Sequence, residues 1–149
     1  MIEIISGEKG KGKTKELLNK VTSVYFIAIK IAMLTSATGN IVYLDKSQKH
    51  MYELNNKIRL INVNDFLIDN CDEFLGFICG VISQDHDLEE MYLDSFLTIA
   101  SIDSDELLNH AIQKLDVISE KYNVKFILSV SKDESKLTDI AKAKIVISL

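Results

Sequence analysis

The sequence predicts an α/β chain built as a doubly wound, mainly parallel five-stranded sheet with helices on both faces. Three observations carry that expectation. Short apolar, β-branched runs alternate with longer segments of helical period; the first such run leads through a glycine-rich turn into helix formers; and no proline interrupts the 149 residues. A chain of this length fits one domain with a sizeable core, so residues 1–149 read as a single unit.

The elements follow in order. Ile2 to Ser6 is the first strand, followed by the turn and a helix that opens at Lys15-Glu-Leu-Leu. Asn40 to Asp45 is a second strand. Beyond it His50-Met-Tyr-Glu-Leu and Lys57 to Val63 flank Asn55-Asn56, two residues that tolerate positive φ, so a hairpin is expected there. A helix spans Asp65 to Gln84, and Leu88 to Ser95 is a third strand. Ser104 to Tyr122 is a helix with Leu108, Ala111, Ile112 and Leu115 on one side, and Val124 to Ser131 is a fourth strand. A short helix at Ser135 to Ala141 and a fifth strand at Ile145 to Leu149 complete the chain.

Composition removes several classes of function. At 47% hydrophobic and 26% charged residues the chain is ordinary for a soluble globular protein, and a net charge of −5 argues against a general nucleic-acid surface. The uncharged run Val21 to Ile29 is nine residues, against about 20 for a membrane span. Cys71 and Cys79 stand eight apart, too few ligands for zinc, and read as a reduced pair on one helix face. The first residues form a strand rather than a signal peptide, so the expected location is cytoplasmic.

Gly7-Glu-Lys-Gly-Lys-Gly-Lys-Thr14 is a full match to the phosphate-binding pattern G-x-x-x-x-G-K-[ST], and it holds three of the six glycines. Glycines let consecutive backbone N–H groups curl around a phosphate, and the helix that follows adds its positive dipole end. Residues Gly7, Glu8, Lys9, Gly10, Lys11, Gly12, Lys13, Thr14 and Lys15 are therefore the candidate nucleotide-binding set. In it Lys13 would reach the outer phosphates and Thr14 would ligate Mg²⁺.

Such a loop needs a carboxylate for the Mg²⁺ shell at the end of a nearby apolar strand. Asp45 after Ile-Val-Tyr-Leu and Asp94 after Met-Tyr-Leu both have that form, and the third strand usually lies closer to the first than the second does. Asp94 is the preferred residue and Asp45 the alternative. Asp85-His86-Asp87 lies at the opposite end of the sheet and reads as a solvated loop, and His50 and His110 are given no role.

With Asp94, and with the polar Ser131 at the end of the fourth strand, the loop resembles the additional-strand, RecA-like class of P-loop NTPases, in particular small stand-alone bacterial ATP-binding proteins. The resemblance implies ATP and Mg²⁺ as cofactors, Gly12, Lys13 and Thr14 on phosphate and metal, Asp94 on the Mg²⁺ shell, and Ser131 as a γ-phosphate sensor. Hydrolytic members commonly carry a glutamate beside the aspartate, and here Ser95 stands there. The single arginine, Arg59, makes arginine fingers scarce. The chain therefore reads as a slow or partner-stimulated ATPase, or as a nucleotide-dependent interaction module. Gly10-Lys11-Gly12-Lys13-Thr14 also resembles corrinoid adenosyltransferases, which continue with a second threonine where Lys15 stands. The first helix is apolar all round from Val24 to Leu34 except at Lys30, so residues 24–34 are expected either to be buried by the hairpin region or to contact a second copy or an unknown partner.

Overall fold

The computed structural model describes residues 1–23 and 39–149. The apolar helix segment at 24–34, with the interface expected there, lies outside them. Among the described residues six strands form one sheet in the order β3-β2-β4-β5-β1-β6, and every pairing is parallel. They are β1 (Ile2–Ser6), β2 (Asn40–Asp45), β3 (Arg59–Asn62), β4 (Leu88–Leu93), β5 (Lys125–Val130) and β6 (Ile145–Ser148). Helix α1 starts at residue 13, and α2 (Cys71–Ser83), α3 (Phe96–Ile99), α4 (Asp105–Tyr122) and α5 (Asp139–Lys142) follow.

Two apolar layers cover the sheet. One face packs Val42, Leu44, Met91, Leu93, Phe126 and Leu128 against α2 and α4, with Phe74, Ile78, Leu108 and Leu115 buried beneath those helices. The other packs Ile5, Tyr43, Tyr92 and Ile127 against Leu17, Leu18 and Val21 of α1 and against Leu54 and Ile58. Strands buried on both sides explain why their sequences run apolar without a break.

Local signals set the helix starts. Asn70 caps α2 by accepting from the Glu73 N–H, and Ser104 caps α4 by accepting from the Leu107 N–H. The expected helix from Asp65 therefore begins six residues late, because a 3₁₀ turn at Val63–Asp65 and the Asn70 cap occupy its head. The short helix expected at Ser135 to Ala141 is likewise split into a 3₁₀ turn, Glu134–Lys136, and α5.

The hairpin is corrected. Leu54 N–H donates to the His50 carbonyl, a helical turn, and the segment that follows pairs β3 parallel to β2, with Leu60 opposite Tyr43. Alternation in so short a run does not distinguish a strand from one turn of helix, and burying Leu54 and Ile58 against α1 favours a crossover. This adds the sixth strand.

Glu3 ties α1 to the sheet through Lys20 and Lys125, each 2.7 Å away. Burial pushes its carboxyl up, but the two lysines outweigh that and hold it below its ordinary range. Glu3→Gln should cost about 1 kcal/mol at pH 7. The contribution is full above the unfolded value near 4.3 and is lost as pH falls through the lower folded value. Urea melts of both proteins at neutral pH and near pH 3 check this; an equal difference at both would exclude the charge as cause.

Candidate site at the carboxyl edge of the sheet

Register decides which side chains meet. Tyr43, Tyr92 and Ile127 are opposite one another on β2, β4 and β5, on the face covered by α1. Two residues further along each strand, on the same face, stand Asp45, Asp94 and Ser129. A row of tyrosine and isoleucine thus gives way to polar groups as the strands reach the edge. The Tyr43 and Tyr92 rings stack beneath it, centroids 6.2 Å apart.

Asp94 is the hub. Its Oδ1 accepts from the hydroxyl of Ser129 at 2.6 Å, the Ser95 N–H at 2.8 Å and the hydroxyl of Thr14 at 3.1 Å. The Tyr43 hydroxyl donates to Oδ2 at 3.3 Å. Ser95 takes a left-handed conformation, φ 56°, which turns the chain off β4 and aims its N–H at both Asp94 and Ser129. Since β4 is two positions from β1 in the sheet while β2 is three, the expectation that Asp94 lies closer to the loop than Asp45 holds. The strand between, β5, supplies the bridging Ser129.

The loop runs from β1 to α1. Gly10 and Gly12 adopt φ of +89° and +91°, which only glycine takes without strain. A Cβ on Gly7 would stand 2.8 Å from the Leu149 carbonyl, so the strand end also needs the missing side chain. Lys13 folds back over the loop and donates to the Glu8 carbonyl at 2.7 Å. It is only 6% exposed, and burial pulls its ammonium below its ordinary range although Asp94 pushes the other way. That is a desolvated cation whose described hydrogen bond goes to a neutral group.

Above these groups opens a cleft of about 470 Å³ lined by Lys9, Gly10, Gly12, Lys13, Thr14, Lys46, Lys49, Asp94, Ser95, Thr98, Ser129 and Ser131. Four ammonium groups face one carboxylate there, on a chain whose net charge is −5. The cleft attracts anions against the sign of the whole molecule.

Of the expected binding set, Lys9, Gly10, Gly12, Lys13 and Thr14 line this cleft with Asp94 and Ser131, whereas Gly7, Glu8, Lys11 and Lys15 do not. The Glu8 carboxylate instead pairs with Lys136 at 3.0 Å. Ser131 is exposed at the rim; the hydroxyl bound to Asp94 belongs to Ser129, two residues earlier. A serine inside the apolar run Phe-Ile-Leu-Ser-Val was the available signal for it. Lys46 and Lys49 were also missed, being brought in only by the turn after β2. Asp85 receives the Asn40 amide at the far end of the sheet, and His110 pairs with Asp72 on the outer surface. Asp45 is 1% exposed and does not line the cleft; it sits behind Asp94, near His50. No protein-family model and no curated protein matches the chain, so the functional reading rests on this geometry.

Proposed function

We propose that the protein binds Mg²⁺·ATP in this cleft and hydrolyses it slowly, or only with a partner. The observation that carries the reading is the buried Lys13 ammonium, folded over a glycine loop at the head of α1 and short of an anionic hydrogen-bond partner. Phosphate oxygens supply that partner, with Lys9, Lys46 and Lys49 adding charge at the rim. The resemblance to P-loop NTPases supports the same assignment from the sequence side.

The residues present fit the metal. Thr14 and Asp94 offer hard oxygens 3.1 Å apart, close to the separation of about 3.0 Å between adjacent ligands of an octahedral Mg²⁺ with bonds of 2.0–2.1 Å. Bound there, Mg²⁺ would neutralise phosphate charge and polarise the terminal phosphoryl group. The chain's own part is to hold Asp94 oriented through Ser129, Ser95 and Tyr43.

Slow turnover follows from what surrounds the phosphate position. Among the described residues lining the cleft, Asp94 is the one carboxylate and no arginine is present, so neither the attacking water nor the developing charge is well served. The isolated protein should turn over ATP well below about 1 s⁻¹, the low end of ordinary enzymes. A thermal-shift series with ATP, ADP, GTP and a corrinoid, each with and without Mg²⁺, tests the binding. Absence of any shift with Mg²⁺·ATP would refute the reading, and a larger shift with GTP would reassign the base.

A further inference from the structure

Behind the cleft the ends of β2 and β4 and the turn that follows β2 bring together Asp45, Asp94 and His50, with one ligand atom of each within 4.8 Å of the others. Asp45 Oδ1 accepts the Lys46 N–H at 2.7 Å. Its Oδ2 is shielded from solvent and has no hydrogen-bond partner among the described residues, and the same is true of His50 Nε2. These two atoms face each other at 3.9 Å, beyond a hydrogen bond. Burial, and then the neighbouring Asp94, push the Asp45 carboxyl above its ordinary range. A carboxylate oxygen and an imidazole nitrogen thus face each other unpartnered beside a second, fully hydrogen-bonded carboxylate, an arrangement that is costly in a dry site.

A dication would satisfy both unpartnered atoms, with Asp94 as the third ligand. Adjacent ligands at metal bonds of about 2.0–2.2 Å stand roughly 2.8–3.6 Å apart, so the 3.9 Å between Asp45 Oδ2 and His50 Nε2 closes onto a dication with a shift of a few tenths of an ångström to about 1 Å. The other imidazole nitrogen, Nδ1, lies 2.7 Å from Glu53 Oε1. Glu53 accepting the Nδ1 proton leaves the Nε2 lone pair aimed at the carboxylates, the arrangement in which a second carboxylate orients a metal-binding histidine. One imidazole with two carboxylates suits Zn²⁺, Co²⁺ or Mn²⁺, while Mg²⁺ favours oxygen ligands alone.

We propose that Asp45, His50 and Asp94 form a site for a first-row transition-metal dication, oriented by Glu53 and adjoining the nucleotide cleft through the shared Asp94. Asp45 and His50 do not line the nucleotide cleft, so metal binding measured without nucleotide is read separately from nucleotide binding.

The probe is Co²⁺ alone, titrated into chelator-treated full chain without nucleotide and followed by calorimetry and visible absorption. One Co²⁺ per chain is expected in the wild type, and His50→Ala should weaken binding by more than about 100-fold, beyond the 10–100-fold typical of losing an orienting partner. Glu53→Gln should weaken it by roughly 10–100-fold. Because the Glu53 side chain is 58% exposed, that variant leaves the core intact and keeps the test valid if His50→Ala fails to fold. A wild type without Co²⁺ affinity would overturn the proposal, and affinity unchanged by both His50→Ala and Glu53→Gln would overturn it in favour of adventitious binding.

Discussion

Replacing Lys13 with alanine should abolish most of the stabilisation that Mg²⁺·ATP confers, about 2.7 kcal/mol when the nucleotide is at a hundredfold over Kd. The reason lies in the environment of the ammonium. It is held at 6% exposure with a neutral carbonyl at 2.7 Å, so it has lost hydration without gaining a full counter-charge. An incoming phosphate finds that cost already met by folding, and the fixed geometry spares most of the side-chain ordering. Without ligand, Lys13→Ala should fold as well as the wild type or slightly better, because a desolvated cation has been removed. Thermal melts of both proteins with and without Mg²⁺·ATP check this. Equal ligand shifts in the two would remove Lys13 from the site, whatever nucleotide affinity remained.

Asp94→Asn should erase the Mg²⁺-dependent part of that shift while costing little fold stability. The amide oxygen can still accept from Ser129, Ser95 and Thr14, and the Tyr43 hydroxyl can rotate to accept from the new NH₂. What vanishes is the negative charge that holds a dication. Asp94→Ala, by contrast, strips the acceptor from buried donors and should lose several kcal/mol. Asp45→Asn, one strand further from the loop, should leave the Mg²⁺ dependence of ATP binding intact. The opposite ranking of the two asparagine variants, read by calorimetry with and without Mg²⁺, would transfer the role to Asp45.

The glycine loop, the strand runs and the start of α4 were legible in the sequence because each depends on residues within one turn or one strand of each other. Gly10 and Gly12 announce positive φ, Ser104 announces a helix start, and an unbroken Ile-Val-Tyr-Leu announces a strand buried on both faces. The carboxyl-edge position of Asp45 and Asp94 followed from the same local reading. Errors gathered where local pattern is silent. His50-Met-Tyr-Glu-Leu has no period long enough to separate strand from turn, so β3 was expected as a hairpin arm and is in fact a parallel edge strand.

Sequence alone therefore determined the class of fold, the loop, and the two acidic strand ends. Only the tertiary structure decided which strands lie side by side, because pairing between β2, β4 and β5 joins residues 35 to 49 positions apart, beyond the reach of any local period. That ordering makes Ser129 rather than Ser131 the partner of Asp94. It brings Lys46 and Lys49 over the loop, and sets His50 against Asp45 in a space that excludes water. A histidine five residues after a strand is unremarkable in a one-dimensional reading. Folded against two buried carboxylates, its free nitrogen has a definite direction and few ways to be satisfied.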